Sequence, residues 1–205
     1  MASLLADDAF EQQTFTGLEA TAAVLSGKEF YRCTFEHCRL QESVWKGVKL
    51  EACTFRECDL TRATLAQTAL RGVTFEGCKL MGIDFSKVSL HPEVSFTRCM
   101  LRYSSFGDLN LKKTKFLDCT AREVNFLEVD LSESDFTGSD LTGSAFRGCT
   151  LTRTDFRGAT GLFLDAARNR VKDTGVPVEA AVELARSLGL LVAGYDDGPL
   201  GSKRR

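Results

Sequence analysis

All eight cysteines of this 205-residue chain, Cys33, Cys38, Cys53, Cys58, Cys78, Cys99, Cys119 and Cys149, lie two residues before an apolar residue that recurs at every fifth position. Were cysteines scattered among five phases, a shared phase would arise with a probability on the order of 10⁻⁵, so an internal repeat is required. The recurring residue runs unbroken from Phe10 to Leu90, slips by one position at His91-Pro92-Glu93-Val94, and resumes from Phe96 to Phe156. Fourteen of the fifteen phenylalanines occupy this frame, and Phe163 alone does not.

A period of five matches neither a helix nor a strand, which present like residues to one face every 3.6 or 2.0 positions. A second period resolves the geometry. Phe15, Phe35, Phe55, Phe75, Phe96, Phe116, Phe136 and Phe156 form a phenylalanine series at a spacing of twenty once the slip is counted, and Leu40, Leu60, Leu80, Leu101, Ala121 and Leu141 form an aliphatic one. Four pentapeptides therefore complete one coil, and residues twenty apart stack. With parallel backbone about 4.8 Å apart, the repeat gives about seven and a half coils and a rod roughly 36 Å long. The central Phe or Leu and the small residue two before it point inward. The remaining positions face out or turn the corner, where Gly72, Gly77, Gly82, Gly138, Gly143, Gly148 and Gly158 fall.

Units such as Cys53-Thr54-Phe55-Arg56-Glu57 and Ser139-Asp140-Leu141-Thr142-Gly143 resemble the pentapeptide repeat family, whose units read small, polar, Leu or Phe, then two polar residues. The resemblance covers about 130 residues and implies an all-β solenoid, a right-handed quadrilateral β-helix of seven to eight coils with a C-terminal α-helical cap.

The same frame argues against enzymatic and metal chemistry. His37 and His91, the only histidines, have no marked partner, and Ser104, Ser134, Ser139 and Ser144 occupy the small inward position. No phosphate loop, dinucleotide fingerprint or metalloprotease motif is present. Cys38, Cys58, Cys78, Cys99 and Cys119 are expected in one vertical column of parallel sulfurs. Tetrahedral zinc needs convergent ligands, and parallel Cβ bonds strain a disulfide. No catalytic residue, cofactor or metal is expected, and the cysteines read as buried packing residues. No run of 18 apolar residues suggests a membrane span. Met1 to Leu5 lacks a basic start and long apolar segment, so a cytoplasmic protein with reduced thiols is expected.

The frame divides the chain into an irregular N-terminal coil or cap over 1–28, the repeat over 29–161 with its slip at 91–94, a capping module over 162–192, and a polar, glycine-containing tail over 193–205 that is expected to be disordered. Pro92 in the slip removes a backbone donor and predicts a bulge at His91, Pro92 and Glu93. Pro177 to Leu188 reads as a helix ended by Gly189, with Val178, Ala181, Val182, Ala185 and Leu188 on one face. Solenoid ends need caps. The segment is also similar to the helix-bearing module that pairs two rods in Qnr-type members of the family, which implies a homodimer through Leu184, Leu188, Leu190 and Val192.

Net charge is only −2, but Asp118, Glu123, Glu128, Asp130, Glu133, Asp135 and Asp140 stand against one base, Arg122, between Asp118 and Asp140, leaving +4 elsewhere. Five-residue spacing puts these acids around the rod as a belt, which either solvates the surface or complements a basic groove. Resemblance to the rod-shaped, gyrase-interacting members implies a non-enzymatic mimic of duplex DNA. Such a protein binds DNA gyrase or topoisomerase IV and protects it from quinolones or from a topoisomerase-poisoning natural product. The alternative is a repeat scaffold for another protein partner. Direct nucleic-acid binding is disfavoured, because basic residues do not dominate and the regular aromatics point inward.

Overall fold

In the structure, a computed structural model describing residues 7–195, successive coils pair in parallel and stack inward residues on their counterparts one coil away. Phe10 pairs with Phe30, Phe15 with Phe35 and Phe106 with Phe126. Three-residue strands suffice because each unit contributes one inward residue between two outward ones. The lattice comes from the next coil: the Leu40 N–H donates to the Asp59 carbonyl at 2.7 Å, and the Leu60 N–H to that of Lys79 at 2.8 Å.

The result is a parallel β-solenoid of about seven turns with four faces. One face carries a sheet of four strands, Ala9–Glu11, Glu29–Tyr31, Lys49–Glu51 and Ala69–Arg71. The next carries six, Thr14–Thr16, Thr34–Glu36, Thr54–Arg56, Val73–Glu76, Val94–Thr97 and Lys115–Leu117. Single bridges join the third face from Glu19 to Thr160. The fourth has a three-stranded sheet, Ser105–Gly107, Asn125–Leu127 and Ala145–Arg147.

Phenylalanine fills the interior in two ladders. Rings stack at 4.6 Å between Phe35 and Phe55, 5.0 Å between Phe55 and Phe75, and 4.6 Å between Phe116 and Phe136. In the upper half a second ladder, Phe85, Phe106, Phe126 and Phe146, meets the first edge to face, as between Phe106 and Phe116 at 5.8 Å and 89°. Both arrangements are favoured by the ring quadrupole. Trp45 takes the corresponding place lower down, fully buried with its indole N–H on the Ser43 hydroxyl.

The cysteines are all buried and unpaired, and they do more than fill space. Where the side chain two before a central residue carries a donor, it bonds the carbonyl of a central residue in the coil below; elsewhere an apolar residue such as Val48, Ala63 or Val124 fills the place. Cys58 Sγ reaches Phe35 O at 3.3 Å, Cys99 Sγ reaches Phe75 O at 3.3 Å, Ser139 Oγ reaches Phe116 O at 2.6 Å, and Thr154 Oγ1 reaches Leu131 O at 2.8 Å. An inward carbonyl would otherwise lack a partner, so the position selects a small side chain with a donor.

The corners extend the sequence reading, which placed seven glycines there. Glycine is not required there: nineteen non-glycine residues adopt left-handed φ, nearly all two after a central residue, from Gln12 to Asp173, whereas Gly158 does not adopt it.

The first coil is regular from Ala9 onward, and its exceptional residues have a simple origin. Asp8, Gln13 and Leu18 stand where a donor would serve a coil below, and they belong to the first coil of the described residues. Lys28 does find such an acceptor: it is buried, its Nζ donates to the Asp7 carbonyl, and it lies 3.5 Å from Asp8. At the slip the register becomes twenty-one, with Val73 opposite Val94. Leu90, in frame by sequence, is turned out and 65% exposed, while Pro92 is buried. The Glu93 N–H bonds Leu70 and its carbonyl accepts from Val73, so the extra residue is held against the rod.

Nor does the coil stop at Gly161. Thr150 bridges Arg170 and Asp155 bridges Gly175, with Asn169 and Thr174 donating to Phe146 and Leu151 as the repeat demands. The frame was hidden because residues 161–168 depart from it locally. The helix then spans Val178–Ser187. Its buried residues are Ala180 and Val182, whereas Val178, Ala181 and Leu188 are exposed. The edge through Glu179, Ala180 and Glu183 faces residues 159–163, and of the expected face Val182 is buried and Ala185 half-buried. Most of the tail expected over 193–205 lies outside the described residues.

Phe75, 1% exposed between Phe55 and Phe96, tests the ladder. Phe75→Ala is expected to lower unfolding free energy by about 3–5 kcal/mol in denaturant melts; a loss below about 1 kcal/mol would show that stacking is not what holds the rod.

Candidate interaction surfaces

The chain offers broad surfaces rather than an enclosed site, and among the described residues no three or more His, Cys, Asp or Glu side chains converge on one point as ligands of a single metal ion. No described helix is long and apolar enough to cross a membrane.

The seven acids encircle the rod in two kinds of position. Asp118, Glu123, Glu128 and Glu133 sit on successive corners with φ between 53° and 61°, and all four are exposed. Asp130, Asp135 and Asp140 directly precede a central residue, and they are half-buried. Each turns its carboxylate onto the backbone two residues on. Asp130 Oδ1 accepts from the Ser132 N–H at 3.1 Å and its hydroxyl at 2.6 Å; Asp135 and Asp140 do the same with Thr137 and Thr142. These three acids therefore hold turns as well as carrying charge. Asp59 and Asp84 repeat the motif lower down.

The belt is also largely neutralised. Arg102 meets Glu123 at 2.9 Å, Lys112 meets Asp130 at 3.2 Å, and Arg122 meets Asp140 at 2.9 Å. Glu133 lies between Lys113 at 3.8 Å and Arg153 at 2.7 Å. Basic residues of the coil below and of the coil above thus clamp the acidic layer. Among the described residues, Asp118, Glu128 and Asp135 make no ion pair in the 4 Å range. Since Asp135 is engaged in its turn, Asp118 and Glu128 are the exposed, uncommitted carboxylates. One-dimensional charge counting could not separate these classes; the Asp-Leu-Ser, Asp-Phe-Thr and Asp-Leu-Thr triplets were the available signal.

At the slip, His91 and Glu93 are exposed and Pro92 is buried. At the C-terminal end, Leu188 and Leu190 are exposed, Leu184 and Val192 are half-buried, and Leu191, 77% exposed, adds an apolar residue that the helical pattern did not mark.

Sequence comparison assigns the repeat. Residues 28–106 and 92–156 match the family described as Pentapeptide repeat region, together more than half of the chain. The chain belongs to the pentapeptide repeat family. Comparison with curated proteins gives no match. Among solved structures, a trypsin-treated form of QnrB1, a plasmid-mediated fluoroquinolone resistance protein, aligns with a TM-score of 0.67 at 22% identity, covering 90% of this chain and 89% of that one. Full-length QnrB1 gives 0.58 at 21% identity over 89% and 90%. HetL, involved in heterocyst differentiation regulation in the cyanobacterium Nostoc, gives 0.68 at 18% identity over 77% and 73%. These likenesses establish the shared right-handed quadrilateral β-helix.

The turn-holding aspartates make stability depend on pH. For Asp130 and Asp140, burial pushes the carboxyl up, but bonds from Ser132 or Thr142 and the nearby Lys112 or Arg122 outweigh it and hold the group below its ordinary range. Folded values below the unfolded value of about 4 mean that this stabilisation is complete above pH 4 and is lost as pH falls through the folded values. Asp130→Asn is expected to cost under about 1 kcal/mol at pH 7, given partial exposure, with the difference vanishing near pH 2. A pH-independent difference in thermal unfolding would show that charge plays no part.

Proposed function

We propose that this protein is a non-enzymatic, cytoplasmic mimic of duplex DNA that binds DNA gyrase or topoisomerase IV and protects it from quinolones or a topoisomerase-poisoning natural product, as a resistance or self-immunity factor. The observation that carries this reading is the pair of exposed, unpaired corner carboxylates, Asp118 and Glu128, on a straight rod of the fold that QnrB1 also adopts. A basic DNA-binding groove is attracted to such a surface in a salt-dependent manner. The remaining belt acids, Glu123, Asp130, Glu133, Asp135 and Asp140, contribute shape and local field, and the slip at His91, Pro92 and Glu93 is a second contact region.

Asp118→Lys combined with Glu128→Lys is the direct test, because neither residue holds a turn or an ion pair and Lys113 already occupies a left-handed corner. Binding to gyrase subunits at low salt is expected to weaken by about tenfold or more, with loss of protection in supercoiling assays and an unchanged melting temperature. Full protection by the reversed protein would remove the belt from the mechanism.

We further propose that two rods pair through the C-terminal module. Leu184, Leu188, Leu190 and Val192, joined by Leu191, leave more apolar surface than the cap itself uses. Leu188→Glu with Leu190→Glu is expected to convert a dimer into a folded monomer in sedimentation; a persisting dimer places the interface elsewhere.

The second reading, a scaffold for another protein partner, is favoured by the ion pairs that neutralise four of the seven acids, and by the equal fit of HetL, whose role lies in differentiation. Failure to capture either topoisomerase with the parent protein would select it.

A further inference from the structure

Cys38, Cys58, Cys78, Cys99 and Cys119 stand one above another along the interior, at intervals of twenty residues and of twenty-one across the slip, and each is no more than 2% exposed. Their thiols donate to main-chain carbonyls of the coil below, Cys38 to Phe15, Cys58 to Phe35, Cys78 to Phe55 and Cys99 to Phe75. The Cys38 N–H also donates to Cys58 Sγ at 3.4 Å, so backbone donors reach the sulfurs. Parallel strand register keeps the Cβ bonds of neighbouring coils parallel. That arrangement opposes a disulfide, whose dihedral lies near 90°, and opposes tetrahedral zinc, whose ligands converge.

A two-coordinate ion requires neither a twist nor convergence. With metal–thiolate bonds of about 2.3 Å, sulfur–metal–sulfur in a line spans about 4.6 Å, against a coil repeat of about 4.8 Å. The phenylalanine rings of the neighbouring ladder show the actual local spacing, from 4.6 Å between Phe35 and Phe55 to 5.5 Å between Phe75 and Phe96. We propose that the thiol column binds soft monovalent d¹⁰ ions, Cu(I) or Ag(I), each held in line between two successive cysteine sulfurs. Thiolate softness selects these ions over zinc, calcium or magnesium.

Five thiols enclose four intervals, and Cys33 stacked beneath Cys53 supplies one more, five in all. Protons and charge balance. Each ion entering an interval displaces one S–H proton to solvent and forms two metal–sulfur bonds. Four ions displace four protons from the column, its fifth thiol keeps its own, and the loaded column stays neutral. The Cys33–Cys53 pair loses one proton to one ion in the same way. Uptake therefore strengthens as pH rises. Because the column is closed to solvent, ions enter when coils open, during folding or near the melting midpoint.

The test uses the full-length protein and Ag(I), either refolded from denaturant with the ion or incubated with it near the melting midpoint, then desalted and analysed for silver. The parent is expected to retain about five ions per chain and to melt at a higher temperature when loaded. Cys78→Ser interrupts two intervals and should retain about three. Its fold is safeguarded because Ser139 already occupies the same column. Cys149→Ser, with Val129 and Asn169 as its stacked neighbours, should retain as many as the parent. Retention of one ion or fewer by the parent, or an equal count in Cys78→Ser and the parent, overturns the proposal.

Discussion

Hydrogen bonds between the backbones of successive coils impose the twenty-residue register, and almost every other feature of the molecule is a consequence of that register. Because each coil exchanges N–H and carbonyl groups with the coil above and the coil below, as in any parallel ladder, like side chains stack on like. Phenylalanine then builds a continuous ladder without helices or long strands. The donor position two residues before each central residue completes the arrangement. Where that residue carries a donor, its side chain reaches an inward carbonyl one coil down, and Cys58 and Ser139 do this in one column, Thr154 and Asn169 in two others. Hydrophobic stacking supplies the larger energy, but the donors decide which residues can sit beside it.

The same vertical coupling governs the surface. Charges are adjacent to charges one coil away, so a ring of acids lies within reach of bases above and below. The belt that looks strongly negative along the sequence is in large part neutralised, by Arg102, Lys112 and Lys113 from below, by Arg122 within it and by Arg153 from above. Glu133 between Lys113 and Arg153 is the clearest case. The pairing lapses at Asp118 and Glu128, which are left as the exposed carboxylates without an ion pair among the described residues.

Much of the fold was legible from the chain alone, since the period of five, the period of twenty and the slip follow from where Phe10 to Phe156 fall. What escaped had definite causes. Leu90 kept the frame in sequence yet lies outside the core, because the inserted residue shifts the register to twenty-one and buries Pro92 instead. The last coil was missed because Phe163 breaks the apolar pattern, although Asn169 and Thr174 keep the donor position. The helix was found but its buried face only in part, because that face depends on the angle at which Ala180 meets residues 159–163. For the candidate contact surface, the sequence located the acids but not their partners. Pairing depends on which residues lie twenty apart and point the same way.

The corners explain how the uncommitted acids are held. A left-handed corner is costly for a residue with a Cβ, yet the lower and middle coils tolerate charged residues there. The coil above the belt instead has Gly138, Gly143 and Gly148. A Cβ at Gly138 would lie 2.0 Å from Asp118 Oδ1, and one at Gly148 would lie 3.1 Å from Glu128 Cγ. The acid side chains thus rise along the rod over bare backbone instead of projecting from it. Backbone freedom alone does not account for these glycines, since Glu133 and Arg153 adopt the same φ nearby. Space for the carboxylates does. The belt and the glycines one coil above it form one coupled surface, so the charge at Asp118 and Glu128 is positioned by residues that carry no charge.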